Sequence, residues 1–221
     1  MKHHVHLHTR VHGRVAAVST VAIALTLAAS QASALTIDFN SLPVGTTLSN
    51  QFAGVAFAPN AFSGGGGPVG NWATDTDMTI VSSTGADVGD LGTPALVSGN
   101  LLRSFSGWLN EDGDPSFSIS FATPITSFSA DFAGIFAPSS TRLFIYNGLT
   151  LLSTVSAVST GQATLGFSSG TFNRVVITPG TFNDWVGVDN IVYAPVPEVG
   201  TYAMMSLGLA SLLGWRRRRQ G

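Results

Sequence analysis

Carboxylates are the main side chains in the central region that could do chemistry. Residues 35–195 contain eleven acidic residues and three arginines, but no His, Lys or Cys. This composition excludes Ser-His-Asp and Cys-His nucleophile systems, Schiff-base lysines and histidine-bound zinc or iron. Catalysis by paired acids and binding of a metal through oxygen ligands stay open. The net charge of −8 also argues against a nucleic-acid binder, because the region has no basic surface for phosphates.

The densest acidic segment is a glycine turn, Asn-Glu-Asp-Gly-Asp at residues 110–114. Such an oxygen-rich loop suits calcium, which accepts flexible geometry, although a solvated loop is the competing interpretation. A glycosidase needs two carboxylates about 5–10 Å apart, and Glu111 with Asp112, Asp114 or Asp131 could supply them. An exposed turn is a poor place to raise the pKa of an acid. We therefore expect a protein that is not an enzyme.

Three tryptophans next to polar loops are candidates for contact with a sugar. They are Trp72, Trp108 and Trp185. An aromatic ring on the rim of a β-sandwich can stack on a sugar face, while neighbouring acids and asparagines bind its hydroxyl groups. Tryptophan is equally common as a core residue or a lid, so a packing role stays open for each of them.

Alternating apolar and polar residues indicate strands through most of the central region. Residues 117–121 alternate clearly, and the pattern repeats over residues 128–132 after a turn at Pro124. Residues 82–99 are rich in Gly, Asp and Pro and predict a loop.

A hairpin is the clearest local prediction. Hydrophobic runs at residues 143–146 and 149–155 flank Asn147-Gly148, which suits a two-residue turn with positive φ. No window of useful length has helical periodicity with caps. About ten short strands separated by Gly, Pro and Asn turns predict an all-β fold, an antiparallel β-sandwich of the jelly-roll type.

Two segments, residues 37–47 and 188–193, resemble the opening and closing strands of jelly-roll domains, including carbohydrate-binding modules. In those modules the first and last strands lie together and often hold a structural calcium ion. The resemblance implies a calcium site formed by Asp38, Asn40 and Asp189. The excess of acidic residues favours it, since carboxylates need a counter-charge.

The N-terminal residues have the three parts of a secretory signal peptide. Lys2, Arg10 and Arg14 precede an apolar run at residues 15–29, and Ala32-Ser33-Ala34 forms an Ala-x-Ala cleavage site. We expect cleavage after Ala34, so that residues 1–34 are removed. An N-terminal membrane anchor is the alternative, which the shortness of the apolar run disfavours.

The C-terminal residues 196–221 also have three parts. Pro197 and Glu198 precede an uncharged apolar run of about 17 residues, which is ~26 Å as a helix and close to the minimum for one transmembrane helix. Trp215 ends this run, and four arginines follow it: Arg216, Arg217, Arg218 and Arg219. An aromatic residue at the interface and a cytoplasmic arginine cluster place the preceding domain on the outer side of the membrane.

This tail resembles the PEP-CTERM sorting signal of Gram-negative bacteria that produce exopolysaccharide. In that family an integral-membrane transpeptidase, the exosortase, cuts near the Pro-Glu motif and releases or transfers the protein to the surface. The resemblance implies a protein anchored in the inner membrane with its domain in the periplasm, and later located at the cell surface or in the extracellular matrix. A plain C-terminal membrane anchor is the alternative.

The sequence therefore predicts a β-sandwich domain at residues 35–195 between two targeting segments. We expect a structural or adhesive role without catalysis. A carbohydrate-binding module for exopolysaccharide is the alternative, and a glycosidase that uses carboxylates is the weaker one.

Overall fold

The computed structural model describes residues 33–59, 76–84, 89–106, 116–180, 186–196 and 208–209. The described residues form ten strands and one 3₁₀ turn, Pro138–Ser140. The strands are β1 (Leu35–Ile37), β2 (Val55–Pro59), β3 (Thr76–Ser82), β4 (Asn100–Ser106), β5 (Phe117–Ile135), β6 (Arg142–Asn147), β7 (Thr150–Ser156), β8 (Gly161–Phe167), β9 (Phe172–Thr178) and β10 (Gly187–Pro195).

All of the strand pairs are antiparallel, and β5 connects two layers. Layer 1 runs in the order β2, first half of β5, β9, β6, β7. Layer 2 runs in the order β8, second half of β5, β10, β4, β3, and β1 shares one edge of β10 with β4. The predicted all-β antiparallel sandwich is confirmed, while the finer jelly-roll assignment stays a prediction.

One continuous core fills the space between the layers. Alternate residues of the central strands point inward because a strand has period two. Phe117 and Ile119 of layer 1 belong to the same buried cluster as Phe128, Phe132 and Val188 of layer 2. Burying aromatic and β-branched side chains from both layers is what holds the two layers together.

β5 differs from its prediction, because the turn expected at Pro124 does not divide it into two strands. The strand runs for 19 residues, and its pairing partners change where its register shifts between Ser120 and Ile125. Residues 122–124 are exposed at this corner, and the Pro124 carbonyl accepts a hydrogen bond from Val196 N. Proline is tolerated at such a corner because the strand there is not held by two full ladders.

The β6–β7 hairpin is confirmed, but its turn is displaced by one residue. Asn147 pairs with Thr150, so Gly148 and Leu149 form the two-residue loop, with Gly148 at φ 58°. Asn147 was expected inside the turn, and instead it ends β6. The Gly148 amide donates a hydrogen bond to Asn173 Oδ1 at 2.9 Å, which fixes the loop against β9.

Two further predictions concern the tail and the loop before β4. Within the described ranges no helix is long and apolar enough to cross a membrane. Of the predicted transmembrane helix only Gly208 and Leu209 are described, and they are helical. Of the loop expected at residues 82–99, Ser82 instead ends β3, whereas the described residues 83–84 and 89–99 lie outside strands and helices, as expected.

Candidate functional site

The first and last strands are neighbours, and a polar cluster lies beside them. β1 pairs with the end of β10, with Ile37 opposite Ile191, and β4 pairs with the start of β10, with Leu102 opposite Val188. The two contacts leave a gap at Asp189 and Asn190, where the register of β10 against β5 also shifts. The predicted adjacency of the first and last strands is therefore confirmed.

The end of β1 is tied to the start of β4 through Asn40. The Asn40 amide donates to Asp38 Oδ1 at 3.2 Å, a local turn that accompanies the left-handed backbone of the buried Phe39 at φ 56°. The Asn40 side chain then accepts a hydrogen bond from Asn100 N at 2.8 Å. Asn100 Nδ2 donates to the Leu42 carbonyl at 2.8 Å, so two bonds join these segments.

Gly99 allows this close approach. Its φ is 68°, a left-handed conformation that favours glycine, and a Cβ atom there would overlap Asn40 Oδ1. Glycine is therefore favoured at position 99 by its left-handed backbone conformation and by the close contact of the loop with Asn40.

Asp189 is the buried acid of the cluster, with a side chain that is 1 % exposed. Its Oδ2 accepts a hydrogen bond from Ser98 N at 3.1 Å, and its Oδ1 accepts one from Asn190 N at 2.7 Å. Burial raises the pKa of Asp189 to about 6; the two backbone hydrogen bonds oppose this rise, and the charges of Asp38 and Asp131 add to it.

Asn190 and Asp131 extend the cluster across layer 2. Asn190 adopts a left-handed φ of 48°, and its Nδ2 donates to Asp131 Oδ2 and to the Leu96 carbonyl, each at 3.0 Å. The other Asp131 oxygen accepts from Thr164 Oγ1 of β8 at 2.5 Å. A chain of polar contacts thus crosses β10, β5 and β8.

The loop at residues 89–99 covers this chain of contacts. Gln162 of β8 holds the loop at two points, accepting from Leu96 N at 2.7 Å and donating to the Pro94 carbonyl at 2.6 Å. Val97 also packs with Leu101 and Ala133 in a small apolar cluster separate from the main core. The loop is therefore fixed by both polar and apolar contacts.

The oxygen atoms of the cluster have the chemistry that calcium prefers, but they also bind N–H groups. The three predicted ligands lie near the end of β1 and the bulge of β10: Asp38, Asn40 and Asp189. Asp131 adds a further carboxylate next to them. In the part of the chain that the structure describes, no three Asp, Glu, His or Cys side chains are grouped as metal ligands. Calcium binding stays a prediction. It requires these oxygens to coordinate the ion while they keep their hydrogen bonds from N–H groups, or after those hydrogen bonds are broken.

Several predicted site residues lie outside the described residues. These are Ala32 of the cleavage site, Pro197 and Glu198 of the sorting motif, the flanking Trp215 and Arg216, Arg217, Arg218 and Arg219, and the candidate sugar contacts Trp72, Trp108 and Trp185. Glu111 and its acidic turn also fall there. Ala34 is described, and it immediately precedes β1.

Four polar members of the cluster were not predicted from the sequence. They are Asn100, Asp131, Gln162 and Asn190. A signal existed for two of them: Asp131 and Asn190 each interrupt an otherwise apolar strand segment. Nothing in the sequence indicated that the loop would bring its backbone to Gln162.

Comparisons with solved structures return β-domains of low similarity. The K2 adhesin domain of Lys-gingipain matches with a TM-score of 0.44 and 15% identity, covering 73% of this chain and 99% of that one. The K1 adhesin domain of Lys-gingipain from Porphyromonas gingivalis W83 has a TM-score of 0.43 and 9% identity, covering 74% and 99%. A family 29 carbohydrate-binding module has a TM-score of 0.37 and 10% identity, covering 73% and 92%.

The sequence itself matches no protein-family profile and no curated protein. Since the structural matches have low TM-scores and low identities, the function has to be inferred from the residues of the chain itself.

Proposed function

We propose that this chain is an exported, non-enzymatic protein of the bacterial cell surface or extracellular matrix, with a structural or adhesive β-sandwich. The observation that carries the proposal is the agreement between the folded strands and the targeting segments. β1 begins at Leu35, directly after the Ala-x-Ala site, and β10 ends at Pro195, two residues before the Pro-Glu motif. A domain that fills the interval between two such signals suits export and sorting.

The absence of catalytic residue types supports a role in binding or structure. Residues 35–195 contain no His, Lys or Cys, so paired carboxylates or a metal bound through oxygen ligands are the remaining routes to catalysis. Asp131 and Asp189, on neighbouring strands, each use both oxygens to accept hydrogen bonds from the surrounding structure. Acids held in this way fasten the loop and strands together.

The sorting step defines the partner. An exosortase-type transpeptidase acts near Pro197-Glu198 while the domain is held on the periplasmic side of the inner membrane, and the product moves to the surface or matrix. Mass spectrometry of the C-terminus of the protein from its native host tests this step. A mature product that still contains Arg219 would identify the tail as a plain anchor.

Location in the cell tests the proposal as a whole. Fractionation of the native host, with detection of the sandwich domain, is expected to find it in the envelope, on the surface or in the medium. A domain that stays in the cytosol contradicts export, whatever the fate of the tail.

The second candidate function is binding of exopolysaccharide. The three tryptophans Trp72, Trp108 and Trp185, each next to a polar loop, support it from the sequence. A pull-down with the polysaccharide of the host matrix tests it. A glycosidase is the weakest candidate, and it predicts turnover of glycosides that Glu111→Gln abolishes.

Calcium is proposed as a structural ion of the same domain, held by Asp38, Asn40 and Asp189. Bound there, it would supply positive charge to a cluster in which these acids repel one another. It would also link β1 to β10, so that the ion connects the first strand with the last.

A further inference from the structure

The outer edges of the two layers differ in whether another segment covers them. Layer 1 ends at β2 and β7, and layer 2 ends at β3 and β8. The segment at residues 45–49 covers β3 and β2. Leu48 N donates to the Met78 carbonyl at 2.8 Å, and Phe57 N donates to the Ser49 carbonyl at 2.6 Å. These contacts occupy backbone groups that an incoming strand would need.

β7 has no such cover among the described residues. Its backbone pairs with β6 on one side, and no described segment hydrogen-bonds to the backbone of its other side. Its seven residues, Thr150–Ser156, include no charged residue and no proline. Natural edge strands use lysine and proline to avoid pairing with another chain, and β7 lacks both. The free edge of β7 is therefore a template for a further strand.

β8 is the other uncovered edge in the described ranges, but it is a poorer template. It contains Gly161 and Gly166, and glycine weakens a strand because it has no side chain to pack. The side chains of Gln162 and Thr164 already bind the covering loop and Asp131. The edge of β7 is the better site for an added strand.

A bulge limits how much of β7 can pair. Ser153 is opposite Ile145 and Leu151 is opposite Tyr146, so Leu152 is an extra residue on β7. A bulge increases the local twist and interrupts the ladder, which is a second way in which edges resist pairing. Regular pairing is expected mainly over the second half of β7, so any contact through this edge should be weak.

Exposed apolar side chains at the two ends of β7 make this edge complementary to itself. Val158 and Leu149 are the two most exposed large apolar side chains of the described residues, at 95% and 92%. Leu149 immediately precedes β7, and Val158 follows it by two residues. A two-fold antiparallel pairing centred at Ser153 places Leu149 of one copy opposite Ala157 and next to Val158 of the other. The symmetry makes this apolar contact twice.

The distribution of charge also favours a second copy at this edge. Residues 35–195 have a net charge of −8, so two copies repel each other through surfaces that carry acids. The sequence has no acidic residue between Asp131 and Asp184, and this interval contains β6, β7 and β8. Arg142 is opposite Ser156, at one end of β7, so the two-fold pairing keeps the two Arg142 side chains at opposite ends. Copies can therefore meet at β7 without opposing like charges.

We propose that β7 pairs antiparallel with β7 of a second copy of this chain, about a two-fold axis near Ser153. Layer 1 then continues as one sheet across the dimer. Two strands ~23 Å long bury less area than a standard interface, so we expect a dissociation constant on the order of 10⁻⁵ to 10⁻⁴ M. The inference rests on the proposed structural or adhesive role and adds a partner to it.

The first test is sedimentation velocity of the full protein produced in its host, with detergent present throughout. The concentration is varied from about 5 to 300 µM, a range that brackets the expected dissociation constant. We expect monomer at the low end and dimer at the high end. A protein that stays monomeric over the whole range overturns the inference.

Charge variants of Thr154, an exposed residue of β7, test the two-fold geometry. Thr154→Lys and Thr154→Glu each bring like charges together across the axis, so each should weaken the dimer by about tenfold or more. An equimolar mixture of the two variants should dimerise again, because opposite charges then meet. Ser169→Lys, in the exposed loop after β8, is the control for added charge. A mixture that stays monomeric, or an equal loss in Ser169→Lys, overturns the pairing.

Apolar variants test the ends of the contact. Leu149→Ser and Val158→Ser should each weaken the dimer several-fold, because each removes an apolar side chain that the second copy covers. Val44→Ser removes an exposed apolar side chain from the segment near β3 and should change the dimer little. Equal effects of the three substitutions would indicate general apolar association and overturn the site.

Hydrogen exchange of the wild-type protein decides the question without a substitution, in case a variant unfolds. Alternate β7 amides that face away from β6 should exchange more slowly at high protein concentration, and β8 amides are the internal control. Unchanged β7 exchange in a dimeric sample, or equal slowing in β8, overturns the inference. A monomeric protein found at the surface removes this inference alone, whereas a cytosolic protein removes the proposed function.

Discussion

Asp189 is a buried carboxylate that faces two other acids, and no described cation compensates it. Its raised pKa of about 6 arises mainly from burial, with smaller contributions from Asp38 and Asp131. A rise of about two pKa units corresponds to about 3 kcal/mol of unfolding free energy. This cost is present when Asp189 is ionised in the native protein and absent when it is protonated.

The first prediction is that the native protein gains stability from Asp189 as the pH falls. Between about pH 4 and pH 6 the native state binds a proton at Asp189 that the unfolded state has released. The contribution is fully present below about pH 4 and is lost as the pH rises through 6. Urea unfolding with chelator at pH 4 to 7 should show wild type gaining roughly 2–3 kcal/mol over Asp189→Asn as the pH falls.

Asp90→Asn is the control for this experiment, because Asp90 is exposed and its removal also deletes one negative charge. A difference between wild type and Asp189→Asn that stays constant over this pH range would show that Asp189 does not titrate there.

The second prediction concerns Gly99 and uses Gly170 as its matched control. Both glycines have a left-handed φ, 68° and 76°, but a Cβ atom at Gly170 meets nothing within 4 Å. Gly170→Ala should cost about 1 kcal/mol of unfolding free energy from backbone strain alone. Gly99→Ala should cost about 1 kcal/mol more, because the new methyl group displaces Asn40 from Asn100 N. Equal costs in denaturant unfolding would mean that Asn40 moves aside freely.

The role of a single residue could be predicted from the sequence where its side-chain type allows few kinds of chemistry. Asp38, Asn40 and Asp189 were singled out by the resemblance to jelly-roll modules, and the structure places Asp38 and Asn40 just after β1 and Asp189 on β10, the partner strand of β1. Asp131 and Asn190 were not assigned to the cluster, because their roles depend on strand register and on a bulge in β10. Register between distant strands is set by tertiary packing, which local patterns do not encode.

Elements with alternating patterns were predicted better than elements interrupted by polar residues. β6 and β7 alternate or contain β-branched residues, and both were predicted. β4 was missed, because its sequence Asn-Leu-Leu-Arg-Ser-Phe-Ser does not alternate simply. Its strand conformation comes from full pairing with β3 and from contact with β10. β5 was predicted as two strands, since a proline suggested a turn where the chain instead crosses between layers.

The third prediction concerns the covering loop at residues 89–99. Gln162 fastens it near Leu96, whereas Asp189 fastens it at Ser98. Gln162→Leu removes the acceptor of the Leu96 amide, so this amide should exchange with solvent at least tenfold faster. The Ser98 amide serves as the internal control and should keep its protection. Unchanged exchange at Leu96 would show that the apolar contacts of Val97 hold the loop without Gln162.

At the scale of the whole molecule, the described charged residues are distributed unevenly between the two layers, although Arg103 lies in layer 2. Layer 1 carries Arg142 and Arg174, and layer 2 carries the buried and half-buried acids. Sequence composition predicted the acidic balance of the domain but not this division, because the faces follow from strand pairing.

The fourth prediction is that calcium stabilises the molecule by joining its first and last strands. An ion that binds the folded state alone adds about 2.7 kcal/mol at a hundredfold excess over its dissociation constant. With one amide and few acids as ligands, we expect a dissociation constant on the order of 10⁻⁴ M or weaker, as in extracellular sites. Calcium at about 10 mM should therefore raise the melting temperature by roughly 5–10 °C relative to chelator.

The dependence of this shift on pH and on Asp189 distinguishes a site in the cluster from general screening of charge. Calcium needs the ionised carboxylate, so its stabilising effect should grow as the pH rises through 6, in the direction opposite to the proton effect. Magnesium is the control ion, because it demands a tighter octahedral geometry and should shift the melting temperature less. Asp189→Asn should abolish the calcium shift. An equal shift in that variant, or an equal shift with magnesium, would mean that cations bind non-specifically to the acidic surface. It would contradict a specific calcium site between the first and last strands.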